Sequence, residues 1–582
     1  MSSNVIFQNI ANIQGWRNKY FRAHGIYDIQ NANLHHGDIR PFACPEEVCD
    51  VGKTYRSLYY VPSCPCLGFE DGRKVVSGFC GDQYFFLEDG YLRQATEEGL
   101  CNGQSCLAGT PFQPSAPTTS GGGCDGSCDG VAVSYVITYV SYLEGGKWVE
   151  GAPSPPSSPV STSGNSPNVR VNFGAPPAGY CIQRVRVYRT EAEFGDLSPE
   201  VQSSEWVLIG EYGIGTRSVL DNFTTSRTGY PLMTYDPMVF PAPNNLVAIA
   251  KTEDGIVVAD AHRVYISISG EPMFTWDGVV EVDDEIRWLE AIEDTIYVFT
   301  DRRPVVIIYK ADGRLLTVNR STINRNLPLT STRSVSMYRN EVIFASEYSL
   351  YGWSRNRYGD NIVSKFTPLL TPEQWKNIDP HSVIGTQYEY GYIFTSDRID
   401  YSLMLEFNDD GTDTVIGTSL MPITYINPSA FGIDYEGHIM YNQDGKIWRW
   451  DWRRDVCADF WPFDHVRPNV CEQCECCEWS VKFYYDNEGK NHFSHMRIEW
   501  DERSAPNLWV SFHIHEFGRE IERTDEMEVI SSRGFGIPYR NVGYQSCYAH
   551  LHGCGIVSQI KVATSAHELV FSSTNTVQGE GE

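Results

Sequence analysis

Residues 290–310, EAIEDTIYVFTDRRPVVIIYK, place two apolar runs around a charged, proline-marked turn, the pattern of a β-hairpin. Nearly the same pattern returns in TEDGIVVADAHRVYISI (252–268), YRNEVIFASEYSLY (338–351), EYGYIFT (389–395) and YEGHIMYNQDGKIW (435–448). Aligning the polar turn ahead of each apolar run on Asp254, Asp294, Asn340, Tyr390 and Glu436 gives spacings of 40, 46, 50 and 46 residues. A period of roughly 40–50 residues built from strands alone is the mark of a β-propeller with four strands to a blade. One such sheet cannot bury both of its faces, whereas a ring of sheets can, and it leaves few open edges. An ordinary meander with coincidental spacing is the alternative.

The rest of the chain is also strand-like. Its 582 residues exceed what one hydrophobic core accommodates, so several domains are expected. Aromatic and β-branched runs are broken by 50 Gly and 31 Pro, and no long amphipathic helix is legible. The best helical candidate is short, from Pro372 to Asn377. The expected fold is all-β, a β-propeller with an inserted immunoglobulin/fibronectin III-like sandwich and a C-terminal β region. Residues 1–129 read as irregular and Cys-rich with short strands, ending in a linker-like stretch, SAPTTSGGGCDGSCDG (115–130). Residues 130–240 read as the sandwich, with the alternation of RVRVYRT (184–190) as its clearest strand. The repeated hairpins occupy 241–455, a Cys-rich loop 456–480, and further strands with an acidic tail 481–582.

Formal net charge is −28, from 74 acidic and 46 basic residues. Tight sequence-independent DNA binding needs a basic footprint, so this balance argues against it. A soluble, aggregation-resistant surface is the plain use of such a charge. No apolar run approaches the roughly 20 residues of a membrane span. The start, MSSNVIFQNIANIQGWRNKY, lacks a basic region followed by an apolar one, so no secretory signal is expected and synthesis and assembly in a cytoplasm are.

Catalytic motifs are scarce. There is no P-loop, no GxGxxG between strand and helix, no GxSxG elbow and no HExxH. His35–His36 reads as a loop pair, and NQDGKIW (442–448) lacks the spacing of a sialidase Asp-box. A propeller glycosidase would need two placed carboxylates, and abundant acids single out no pair. No catalytic and no cofactor-binding residue is therefore assigned. The 17 cysteines are the one candidate for site chemistry. Cys471, Cys474, Cys476 and Cys477 have the C-x-x-C element of a structural zinc site, with Cys457 or His465 as further ligands. Cys547, His550, His552 and Cys554 form a second set. Neighbouring thiolates on one short loop strain a tetrahedron, so disulfides or free thiols rank ahead of metal. Cys44/Cys49, Cys101/Cys106 and Cys124/Cys128 are the close pairs expected to be disulfides.

Several phrases resemble one family. They are NANLHHGDIRPFACPEEV (31–48), SYVITYVSYLEGGKWVEGAPSPPS (134–157), RVRVYRTEAEFG (184–195), EWVLIGEY (205–212) and SVLDN (218–222). NNLVAIAKTEDGIVVADAHRVYISISGEPMFTW (244–276) and ASEYSLYGWS (345–354) continue the series in order. They are similar to the tail nozzle or tail tube (tubular) proteins of short-tailed bacteriophages, from about residue 30 to residue 355; beyond that only the pattern is alike. The Cys-rich stretches depart from the family. The resemblance implies a structural virion protein without catalytic activity, carrying a propeller and assembled as a hexameric ring below the portal and adaptor. It implies a channel that double-stranded DNA crosses without specific binding, and contacts with tail fibres or a plug. An acidic lumen would repel phosphates and avoid gripping the DNA. A closed ring needs heterologous contacts, so residues 1–50 are expected to pack against a neighbour or the adaptor. A host-recognition protein of the virion is the alternative function, and exposed loop aromatics would favour it.

Overall fold

Two-residue turns set the architecture. In the hairpin Gln83–Glu88/Tyr91–Thr96, Asp89 and Gly90 have φ of 52° and 77°. Both values are left-handed, which gives the primed turn whose twist matches that of paired strands. Asp444 and Gly445, at 55° and 76°, do the same between Ile439–Gln443 and Lys446–Trp450. Glu293 (53°) and Arg339 (53°) begin the corresponding turns at Asp294 and Asn340. Strands joined in this way can only lie antiparallel to their neighbours, and the chain becomes a series of small meander sheets.

The structure is a computed structural model. It describes residues 45–451 except 79–82, 112, 122–131, 143–147, 163–167, 191–205, 223–238, 254, 313–314, 323–325, 356–360, 366–369, 371, 390, 408–416 and 424, and outside 45–451 the backbone of the strands named below. It divides into two units, residues 73–328 and residues 1–72 with 329–582.

In the 73–328 unit, three meanders follow the chain. The first is Val75–Ser77, Gln83–Glu88, Tyr91–Thr96 and Cys106–Leu107. The second is Ala248–Lys251, Ile256–Ala259, Arg263–Ser267 and Met273–Glu281, with Phe240–Pro241 at its edge. The third is Ile286–Ile292, Thr295–Thr300, Val305–Asp312 and Leu315–Thr322. Ile256, Val258 and Phe274 of the second pack on Phe85 and Leu92 of the first, while Val257, Val264 and Ile266 pack on Leu289, Ile296 and Val298 of the third. A sheet that is buried on both faces reads as a continuous apolar run, which is why IVVA and TIYVFT show no alternation. Between the first and second meanders lie two sheets sharing one core. Tyr135–Tyr142, Trp148–Glu150, Arg184–Thr190 and Trp206–Gly213 face Thr118–Gly121, Val169–Asn172 and Ser218–Asp221 through Tyr135, Ile137, Val185, Val187, Val169 and Val171. A disulfide, Cys106–Cys181, and a parallel bridge, Leu107 to Tyr180, tie this pair of sheets to the first meander.

In the other unit, the meanders are Ser331–Tyr338 to Asn361–Lys365, Ile384–Tyr388 to Gly417–Ile423, and Ala430–Ile433, Ile439–Gln443, Lys446–Trp450. The last takes its fourth strand from the far end of the chain: Glu46–Asp50 pairs antiparallel with Lys446–Trp450. Val51 N and Gly52 N donate to Gly445 O, Tyr55 N donates to Asn442 Oδ1, and Lys446 Nζ meets Glu47 at 2.7 Å. The short helix falls where the sequence puts it, at Pro372–Ile378, and buries Trp375 and Ile378, with Trp375 Nε1 donating to Ser346 O. Removing an indole of this size from water stabilises by about 2–3 kcal/mol. Outside the core region, the backbones of Trp479–Asp501, Leu508–Glu516, Arg519–Asp525 and Tyr544–Thr564 form one antiparallel sheet.

Four expectations can be set beside the structure. Within residues 1–129 the expected short strands include a four-stranded meander at 75–107 and a strand at 46–50. Part of the linker-like stretch is strand, because Thr118–Gly121 pairs with Val169–Asn172. The expected disulfides joined neighbours in sequence, but Cys49 pairs with Cys66 and Cys106 with Cys181. Cys101 ends the short helix Glu97–Cys101 while Cys106 lies on a strand, and the parallel Leu107–Tyr180 bridge sets Cys181 beside Cys106. Cys124 and Cys128 lie outside the described residues. Glu46–Asp50, at the end of the segment expected to meet a neighbour or the adaptor, pairs within its own chain.

Candidate functional site

The one group of potential metal ligands among the described residues is Asp434, Glu436 and His438. It arises from a turn. Between Ala430–Ile433 and Ile439–Gln443 the chain reverses through Asp434–His438, closed by Asp434 N to His438 O and Gly437 N to Asp434 O. Gly437 has φ of 84°, which a side chain would strain. Asp434 Oδ1 accepts from Glu436 N at 2.9 Å and His438 N at 2.8 Å, the self-capping habit of Asp in turns. Its Oδ2 lies 2.8 Å from His438 Nδ1 and 3.0 Å from Arg449 Nε. Burial pushes this carboxyl up, but the hydrogen bonds and charge of His438 and the Glu436 amide outweigh it, and Asp434 titrates below the usual carboxylate range.

Arg449 comes from the neighbouring strand, and its Nη2 also pairs with Glu436 Oε2. His438 Nε2 lies 3.4 Å from Asp451 Oδ2. The guanidinium therefore already holds the carboxylate oxygens that a cation would need. A divalent ion here would have to displace Arg449 or sit against its charge. Nor does the His–Asp pair look outward as a general base would. His438 is buried, its Nδ1 is shared between Asp434 and Arg449, and its Nε2 faces Asp451. The arrangement is a charge-balanced staple between two strands. Tyr435, at its tip, is 73% exposed and packs on Tyr60 with ring centroids 5.5 Å apart.

A second charged network lies on the sheet built around Arg184–Thr190. Arg186 donates to Glu150 at 2.7 Å and to Glu211 at 2.9 Å, and its guanidinium lies 4.0 Å from the Trp148 ring centroid. Tyr188 Oη and Thr138 Oγ1 both donate to Glu150 Oε1. Burial pulls Arg186 down, and the two carboxylates more than restore it, so it stays charged. Trp148 remains 42% exposed above this base.

None of the sequence-predicted ligands has its side chain among those described. Cys471, Cys474, Cys476 and Cys477, with Cys457 and His465, lie outside the described residues. Cys547, His550, His552 and Cys554 lie on the strand Tyr544–Thr564, whose side chains are outside the described set. NQDGKIW is a hairpin turn in which Asn442 is buried and holds Lys53 O, Lys446 O and Tyr55 N. The Asp434–Arg449 cluster had one sequence signal, an Asp-x-Glu-Gly-His turn facing an Arg in the following strand, and that signal is common in acidic chains.

Comparison with known proteins leaves the family open. No family model and no curated protein matches the chain. Among solved structures, Kluyveromyces lactis Hsv2 is similar at 10% identity and a TM-score of 0.24, over 35% of this chain and 58% of that one. Streptogramin B lyase is similar at 10% identity and a TM-score of 0.23, over 57% of this chain and 97% of that one. Myxococcus xanthus glutaminyl cyclase is similar at 7% identity and a TM-score of 0.20, over 36% and 92%. Likeness at this level carries no functional argument.

Proposed function

We propose that this chain is a structural virion protein of a short-tailed phage, a nozzle or tube subunit. In this reading six copies form a ring below the portal and adaptor, extend the DNA ejection channel and dock fibres or a plug. The observation that carries it is the ordered run of family-like phrases from about residue 30 to residue 355. The finer fold belongs to the same reading. The meanders are blades of a β-propeller, and the paired sheets of 118–221 are an inserted immunoglobulin/fibronectin III-like sandwich. Six antiparallel meander sheets, one of them with a fifth edge strand and one completed by Glu46–Asp50, support the blades among the described residues, against five hairpins counted in the sequence. The sandwich is supported by two antiparallel sheets closing on one core within about 100 residues. The subunit works without catalysis or a cofactor, and its net charge of −28 suits a conduit that DNA passes without being held.

A second reading, a host-recognition protein of the virion, is favoured by aromatics exposed at turns. Tyr348 is 56% and Tyr435 73% exposed, and Trp276, 58% exposed, stands on an outer strand. One experiment separates the two. The purified chain is examined by mass photometry and negative staining, and located on whole virions with a specific antibody. A six-fold ring with a central hole, and label at the tail axis, is expected. A monomer in solution together with label on peripheral fibres would overturn the nozzle reading in favour of recognition.

A further inference from the structure

The strand Glu46–Asp50 completes the last meander, and the chain that follows it runs back across that sheet. Asn442, wholly buried, donates to Lys53 O at 3.3 Å and accepts from Tyr55 N at 2.9 Å. Leu58 lies so close to Gly432 that a Cβ on the glycine would stand 3.0 Å from the leucine's own. Tyr60 packs on Tyr435, and Arg56 O accepts from Arg333 Nε at 3.1 Å. Residues 46–60 thus form a clasp with two grips. One holds the strand Lys446–Trp450 by backbone pairing, and the other holds the opening hairpin of the same sheet through Tyr55, Leu58 and Tyr60.

A covalent bond joins the two grips. Cys49, which pairs with Ile447, is bonded to Cys66. Cys66 lies between Ser57–Leu58 and Gly68–Phe69, the paired strands that carry the second grip. While the bond stands, neither grip leaves without pulling on the other; once it opens, each frays alone. The bond is within reach of a reagent. Cys49 and Cys66 are both half-buried, whereas Cys106, in the bond to Cys181, is 9% exposed. All six described cysteines, Cys49, Cys64, Cys66, Cys101, Cys106 and Cys181, are disulfide-bonded. A cytosol keeps such thiols reduced, so a chain made in one would carry the open form first.

We propose that Cys49–Cys66 is a redox latch on this clasp. In the thiol form, hydrogen bonds and packing alone hold residues 46–60, and the clasp opens and recloses. A small-molecule disulfide, of the class of oxidised glutathione, locks it. One thiolate of the pair attacks the reagent, forming a mixed disulfide and releasing one small thiol. The other thiolate then attacks the protein sulfur of that mixed disulfide, closes Cys49–Cys66 and releases the second small thiol. Two electrons and two protons pass from the protein to the reagent. The latch rests on the geometry of residues 46–69 and stands apart from the tail reading.

The test is limited trypsin digestion of the full-length native protein. Cutting after Lys53 and Arg56 is followed by mass spectrometry. Both side chains are exposed, but Lys53 O, Tyr55 N and Arg56 O are held in the closed clasp, so cutting there reports opening. The oxidised protein is compared with the protein reduced by dithiothreitol without denaturant, and with Cys49→Ser/Cys66→Ser. Cutting should be at least about tenfold faster in the last two. Oxidised glutathione should restore slow cutting to the reduced protein and not to the variant. Cys106→Ser/Cys181→Ser should cut as slowly as the unsubstituted chain. If the Cys49/Cys66 variant does not fold, a time course of reduction with alkylation of the freed thiols replaces it. Cys49 and Cys66 should then be freed before Cys106 and Cys181, and cutting should speed up in step with them. Equal cutting of the oxidised and reduced proteins, slow cutting of the Cys49/Cys66 variant, or cutting that speeds up only as Cys106 is freed overturns the latch.

Discussion

Arg449 decides what the turn at Asp434 is. Without it, three ligand atoms within 4.8 Å of one another would invite a metal; with it, the same oxygens are already satisfied. Asp434 carries the turn, since its carboxylate caps two backbone amides and meets both His438 and Arg449. Asp434→Asn keeps the shape but loses the charge, and should cost about 1–3 kcal/mol at pH 7. The folded carboxyl titrates below its unfolded value. Its contribution is therefore complete above the ordinary carboxylate range of about 4, and is lost as pH falls through the lower folded value. Chemical denaturation of both proteins should show a stability gap at pH 7 that shrinks below about pH 4. A gap of constant size would remove the charge from the account.

At the scale of elements, the sheets hang on long-range ties. Cys106–Cys181 closes a loop of 75 residues and couples the first meander to the paired sheets. In the chain-entropy view a loop of that length is worth about 4 kcal/mol. The double variant Cys106→Ala/Cys181→Ala should lose up to that amount in denaturant unfolding, with little change in the paired sheets' own core. A loss below about 1 kcal/mol would mean that Leu107–Tyr180 pairing and the Val149, Val239, Ile268 and Met273 contacts suffice alone. This pairing also marks what the sequence could not convey. The hairpins at 294, 340 and 436 were legible because a two-residue turn and its flanking strands are local. Among the short strands expected in residues 1–129, the pair in YFFLEDGYL (84–92) belongs to a four-stranded meander only through Val75–Ser77 and Cys106–Leu107, both too short to register in the sequence. The Asp434–Arg449 cluster is decided by register between strands and the cysteine partners by tertiary contact, neither of which spacing along the chain encodes. The six meanders were countable as five because the one at 75–107 is separated in sequence from the others by the paired sheets.

At the scale of the whole molecule, the strand Glu46–Asp50 and its partner Lys446–Trp450 stand almost 400 residues apart in the sequence, yet they are neighbours in one sheet. A ribosome adding 5–20 residues per second needs roughly 20–80 s to travel from one to the other. Through that interval the early strand waits without its partner, and the last meander cannot be completed. Synthesis thus has a late checkpoint: a chain stopped before residue 446 carries an open strand edge, the kind of surface that recruits other chains. Pulse-labelled nascent chains released at 430 and at 460 should differ sharply in protease resistance around residues 46–70. Equal resistance would mean that the opening strand is held by its hairpin and disulfide alone. The meeting of residues 46–50 with 446–450, rather than any one repeat, then sets when this sheet is complete on the growing chain.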